Sequence, residues 1–115
     1  MYYMLRNTRL YSKQRVHAFP TGPQLADLHA HLLTGVKRGT CADCGVSFDL
    51  QPPPANKSRN PLAPSPGRYN PATGYSVANV RVTCWSCNMA QGESTMPEYD
   101  SWLHRAYNFR FRSDH

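Results

Sequence analysis

Two CxxC pairs, Cys41-Ala42-Asp43-Cys44 and Cys84-Trp85-Ser86-Cys87, hold all four cysteines of this 115-residue chain. A CxxC turn presents two sulfurs from one knuckle. Two knuckles complete the four soft ligands that zinc takes at the corners of a tetrahedron. The spacing predicts a structural zinc site built from Cys41, Cys44, Cys84 and Cys87. With every position filled by protein, such a metal has no open site at which to activate water. The competing interpretation is a pair of disulfides in a secreted domain. Met1–Leu10 has neither the apolar core nor the small-residue cleavage site of a secretory signal. A disulfide within CxxC is also a redox device more often than a staple. The expected location is therefore intracellular, not secreted. No run of eighteen apolar residues is present, so no membrane span is expected.

Composition explains why a staple is needed. Only 40% of residues are hydrophobic and the mean hydropathy is −0.62, so a single domain of this length will have a thin core. Metal binding adds folding free energy directly.

The chain divides around the knuckles. Residues 1–22 form a basic, aromatic arm in which Tyr2, Tyr3 and Tyr11 interleave with Arg6, Arg9, Lys13 and Arg15. Cations that reach phosphate and rings that stack bases make this a candidate nucleic-acid contact; an N-terminal strand with its rings inward fits the same pattern. A helix is expected over residues 23–40, with Pro23 in its first turn, Leu25, Leu28, Leu32 and Val36 on one face, and Gly35 and Gly39 bracketing its end. His29 and His31 are two apart, a poor ligand pair, and are expected to serve the helix surface or the core.

Residues 41–92 carry the zinc core. Val46, Phe48 and Leu50 alternate as a short strand, and a second strand is expected over Asn79–Thr83. Between them residues 51–71 hold seven prolines, at 52, 53, 54, 61, 64, 66 and 71. That density predicts a loop, neither helix nor central strand, with a mobile middle at Ala55–Asn60 that holds Lys57 and Arg59. Cys84 and Cys87 should open a helix reaching Gln91. Over 93–115, Thr95-Met96-Pro97-Glu98 reads as a capping box starting a last helix to about Tyr107. The alternation of Tyr107-Asn108-Phe109-Arg110-Phe111-Arg112 suggests a final strand.

The formal net charge is +6, and it is uneven. Residues 1–40 hold Arg6, Arg9, Lys13, Arg15, Lys37 and Arg38 against Asp27 alone. A basic balance puts nucleic acid first among partner classes. Four thiolates around one Zn²⁺ leave residues 41–115 close to neutral, so the basicity belongs to the N-terminal segment.

The order helix, knuckle, strand, loop, strand and second knuckle opening a helix is a treble-clef zinc pattern of α+β class. Asn60-Pro61-Leu62-Ala63-Pro64-Ser65-Pro66-Gly67-Arg68-Tyr69-Asn70-Pro71, with Gly74–Asn88, resembles the HNH endonuclease family, above all its small phage and mobile-element branch. The resemblance covers roughly residues 25–104. It implies a ββα core with one catalytic Mg²⁺ or Mn²⁺ distinct from the zinc, held by an acid on the first strand and an Asn or His on the helix. It also implies a His general base, an Asn that orders the loop, and phosphodiester hydrolysis as the reaction. Asn79 matches the ordering Asn and Asn88 the helix ligand.

The first element departs from the family. Where the branch reads something like Ser-Leu-Asp-Arg-Ile-Asp, this chain reads Ser65-Pro66-Gly67-Arg68-Tyr69-Asn70. Gly67 stands at the metal-binding acid and has no side chain. Arg68 stands at the base and is always charged. Asn70 replaces the second acid, although a hard divalent cation wants anionic oxygens. The expectation is a degenerate HNH-like zinc protein that binds nucleic acid or a protein target without cutting, as a phage or mobile-element regulator or inhibitor in a host cytoplasm. Its nucleic-acid contacts would be Arg6, Arg9, Lys13, Arg15, Arg68 and Arg81. The alternative is an active endonuclease with a displaced metal ligand, using Asn79, Asn88 and Arg68; Asp43, Asp49, Tyr69 or a histidine from elsewhere in the chain would be the rescuing ligand.

Overall fold

The computed structural model describes residues 20–112. The N-terminal arm, with Arg6, Arg9, Lys13 and Arg15, lies outside the described residues but for positions 20–22. The described chain is mixed α+β. It runs α1 (Gly22–Arg38), β1 (Pro64–Arg68), a 3-10 turn (Val77–Asn79), β2 (Val80–Cys84), α2 (Trp85–Gln91) and α3 (Met96–Phe111).

Helix α1 begins with Pro23 in its first turn and ends at Gly39, whose φ of 84° places it in the left-handed region as its N–H caps Val36 O at 3.0 Å. Leu28 and Leu32 are each 1% exposed, one turn apart on the predicted face. They join Tyr75, Val80 and Val82 in the core, with Val36 and Phe48 packed against it. His31 bonds the Val80 carbonyl through Nε2 at 2.7 Å, so this histidine ties the helix to β2. At Gly35 the helix meets Val82 so closely that an added Cβ would lie 2.8 Å from Val82 Cβ. Gly35→Ala therefore sets two effects in opposition. Alanine gains up to ~1 kcal/mol of helix propensity, whereas overpacking costs ~1–3 kcal/mol. We expect a net loss of about 1 kcal/mol in chemical denaturation; a stabilised variant would show that α1 can slide off Val82 freely.

β1 and β2 form an antiparallel pair with Gly67 opposite Arg81 and Ser65 opposite Thr83. β1 lies inside the proline-rich stretch that the composition assigned wholly to loop, which corrects that expectation. The register shows why prolines are tolerated. Trp85 N bonds Ala63 O at 2.9 Å and Tyr69 N bonds Asn79 O at 2.9 Å, so the ladder runs through odd-numbered residues of β1. Pro64 and Pro66 have even parity, and their nitrogens face the edge of β1 that no described strand pairs, where no N–H is required. The strand expected at Val46–Leu50 is reduced to an isolated bridge between Thr40 and Ser47. Phe48 N still bonds Gly39 O at 2.9 Å, but Leu50 is left on the surface.

The rest of the proline-rich stretch follows a defined path. Asn60 is buried, donates to Gln51 O at 3.1 Å and accepts from Leu62 N at 3.0 Å, clasping the base of the 51–60 arch.

The predicted capping box starts α3: Thr95 N donates to Glu98 Oε1 at 2.8 Å, and Glu98 N to Thr95 Oγ1 at 3.4 Å. The strand expected at 107–112 is instead the last turn of this helix. Alternation signals a strand only where a sheet can pair with it. In the helix Tyr107 and Phe111 fall four apart, and their rings meet at a centroid distance of 5.2 Å.

Candidate metal centre

The sulfurs of Cys41, Cys44, Cys84 and Cys87 all lie within 4.8 Å of one another. Zn–S bonds of ~2.3 Å in a tetrahedron require sulfurs about 3.8 Å apart, and Cys44 Sγ and Cys84 Sγ stand 3.9 Å apart. Among the described residues this is the one group of three or more His, Cys, Asp or Glu side chains placed to hold a metal ion. The donor set is all thiol, which suits a soft or borderline cation such as zinc.

Local structure builds each half. In the first knuckle, Gly45 takes a φ of 77° so that its N–H can reach Cys41 O at 3.0 Å. The N–H groups of Asp43 and Cys44 point at Cys41 Sγ from 3.3 and 3.5 Å. In the second, Cys84 ends β2 and caps α2, accepting from Cys87 N at 3.5 Å. The first knuckle docks on β2 through Ala42 N to Val82 O at 3.1 Å.

The protein's field treats the thiols unequally. Burial pushes Cys41 up, but the N–H groups around its sulfur outweigh that and hold it at about 7. Burial pushes Cys84 and Cys87 up. A metal bound here would displace the thiol protons. Tyr99, in the first turn of α3, is buried beside Cys87. Burial and then the Cys87 sulfur raise its hydroxyl pKa well above the usual range. The Trp102 ring stacks on Tyr99 at 6.1 Å, so α3 is anchored at the metal centre by its first turns. Trp102, Tyr107, Phe109 and Phe111 are exposed beyond that anchor.

Next to the cysteines, the face of the sheet covered by α2 carries Gly67 and Asn88, two of the residues singled out by the HNH resemblance, together with Arg81. Arg81 forms a bidentate ion pair with Asp43, Nε to Oδ1 and Nη2 to Oδ2 at 2.7 Å each. The two side chains are only 5% and 9% exposed. Nη2 also donates to Gln91 Oε1 at 2.8 Å, and Gln91 Nε2 donates to Arg68 O at 2.8 Å. Arg81 Nη1 is buried and makes no hydrogen bond. The Tyr69 ring centroid lies 4.9 Å from the guanidinium carbon. A Cβ at Gly67 would stand 3.3 Å from Arg81 Nη1 and from the Thr83 side chain. Asn88 donates to Ser65 Oγ at 2.7 Å.

Asn79 holds the 69–74 turn together. Its Oδ1 accepts from Asn70 N at 3.0 Å, and Nδ2 reaches Asn70 O, Thr73 Oγ1 and Gly74 O at 2.7–3.0 Å. Arg68 is half-buried on that turn, donating to Thr73 O at 3.0 Å with its guanidinium 4.7 Å from the Tyr75 ring centroid. Asp49 accepts from Gln51 N at 2.9 Å, and that bond lowers its carboxyl pKa.

The structure thus brings the four cysteines together and places Gly67, Arg81 and Asn88 on one face. Arg81 does not lie on the nucleic-acid surface expected for it. It is flanked by Val80 and Val82 on a strand buried at all five positions, and its charge is committed to Asp43. The Asp43–Arg81–Gln91 network was missed because its members lie 38 and 10 residues apart. One signal was available: a charged residue opposite a glycine, on a strand whose end supplies a metal ligand, has little water to face.

No family model, curated protein or solved structure matches the chain.

Proposed function

We propose that this chain is a zinc-stapled, treble-clef domain of HNH type whose catalytic element no longer cuts, and that it acts by binding nucleic acid. The observation that carries this reading is the buried Arg81 guanidinium beside Gly67. The family's divalent metal belongs at that place, and a fixed cation there disfavours a second one at short range. Two groups that a metal there would use are committed elsewhere: Asp43, a rescuing ligand, to Arg81, and Asn88, the helix ligand, to Ser65. The zinc closes the fold and takes no part in hydrolysis. The Asn79 clamp supports the resemblance, since an Asn that orders this loop is what the family implies.

Nucleic acid is favoured over a protein target by the cationic segment upstream of Cys41 and by Arg68, which remains partly exposed. The test combines two measurements. Purified protein with Mg²⁺ or Mn²⁺ should leave supercoiled plasmid intact, while DNA binding falls steeply as salt rises. Deleting residues 1–16 should weaken that binding more than any single core substitution. Nicking that disappears in Asn88→Ala would overturn the non-cutting assignment; binding indifferent to salt would overturn the nucleic-acid one.

A further inference from the structure

The arch that runs from Gln51 to Asn60 folds back toward the start of α2 and borders a shallow, solvent-open cleft of about 560 Å³. Ligand clefts commonly span ~300–1,000 Å³. Its walls include Lys57 and Arg59 from the arch, Trp85 and Ser86 from α2, and no carboxylate. Arg59 lies over the Trp85 indole with its guanidinium carbon 5.2 Å from the ring centroid. Neither Lys57 nor Arg59 makes an ion pair among the described residues.

The cleft is held from both ends. The Asn60 clasp fixes the arch to Gln51 and Leu62. Ser86 N bonds Pro61 O at 3.1 Å and Trp85 N bonds Ala63 O at 2.9 Å, which fixes the floor to the strand that leaves it. Trp85 also sits between Cys84 and Cys87, so the metal centre sets its position. A guanidinium resting on an indole is a stacking element assembled in advance, and a second cation, with no counter-ion among the described residues, lines the same cleft. Rings stack on bases, and cations meet phosphates. A base inside a duplex has both faces occupied by its neighbours, so a stacking element of this kind selects an unpaired base.

We propose that the Lys57–Arg59–Trp85 cleft is a subsite for one nucleotide of a single-stranded nucleic acid, its base stacked at Trp85 and Arg59 and its phosphate met by Lys57. The proposal rests on the nucleic-acid reading above and adds a place and a strand preference.

The test uses the full zinc-loaded chain carrying Trp102→Phe, so that Trp85 is the one tryptophan left. Titration with a twelve-nucleotide oligothymidine should quench its fluorescence, and a duplex of equal length should not. Arg59→Ala and Lys57→Ala, both on exposed arch residues, should keep the circular dichroism spectrum. Arg59→Ala should weaken oligothymidine binding about five- to hundredfold, the range of one stacked base, and Lys57→Ala by a smaller factor with a shallower salt dependence. Oligothymidine binding that ignores Arg59→Ala and leaves Trp85 unquenched would remove the cleft while leaving the nucleic-acid reading intact. Equal quenching by duplex would overturn the strand preference. No binding of either oligonucleotide would overturn both readings together.

Discussion

Cys84→Ser, or a strong chelator, will unfold this domain. The magnitudes decide it. A structural four-ligand zinc site supplies ~10–16 kcal/mol of apparent binding free energy at neutral pH, whereas a whole domain is stable by only ~5–15 kcal/mol. The buried apolar cluster here consists of Leu28, Leu32, Tyr75, Val80 and Val82, too few side chains to offset that loss. Cys84 is the most demanding of the four positions. It ends β2, caps α2 and lies in the interior. The expected measurement is a collapse of the far-UV circular dichroism signal on chelation, reversed by added Zn²⁺. A spectrum unchanged after complete metal removal would show that the apolar cluster and the Asp43–Arg81 pair hold the fold without the metal.

Arg81→Ala will be the most damaging substitution outside the cysteines. It strands the Asp43 carboxylate in a site 9% exposed and frees Gln91 Oε1 from its donor. Removing one partner of a buried ion pair costs ~3–5 kcal/mol. With a urea slope of ~1–3 kcal/mol/M for a small domain, the unfolding midpoint should fall by roughly 2 M. A double variant, Arg81→Met with Asp43→Leu, separates the causes. Removing both charges leaves none stranded, so it should recover much of the loss. A double variant as unstable as Arg81→Ala would place the cost in packing against Tyr69 and Thr83 instead of in the charge.

Much of this architecture was legible in the sequence because it is local. Helix α1 is written in Leu28 and Leu32 one turn apart and in a left-handed glycine at 39. The start of α3 is written in Thr95 and Glu98, and the four-cysteine cluster in two CxxC turns. What escaped depends on pairing at a distance. Whether Pro64 and Pro66 can stand in a strand depends on which edge of that strand is paired, a property of the partner β2. The alternation at 107–112 fits a strand and a helix surface equally well until one knows that no described strand pairs with it. Arg81 looked like a surface cation because nothing near it in sequence announces Asp43. The candidate site divides in the same way. The four-cysteine cluster was readable from spacing, while the polar face beside it became visible only when Gly67, Arg81 and Asn88 were brought together.

The burial of β2 at every position has a consequence for when this protein can fold. Almost everything converges on that strand: α1 through Gly35 and His31, the first knuckle through Ala42 and Asp43, β1 along its length, and the second cysteine pair at its end. Its partners lie far upstream, 49 residues back in the case of His31. During synthesis at ~5–20 residues per second, α1 therefore leaves the ribosome several seconds before the strand that buries its leucines. This 17-residue helix, like most protein helices, draws its stability chiefly from the packing of its apolar face. Joining sulfurs 40 residues apart in sequence costs about 3 kcal/mol in chain entropy, and nothing offsets that until Cys84 and Cys87 are available. Nascent chains that end before Val80 should remain open to protease, and protection should arrive in one step as the second knuckle emerges.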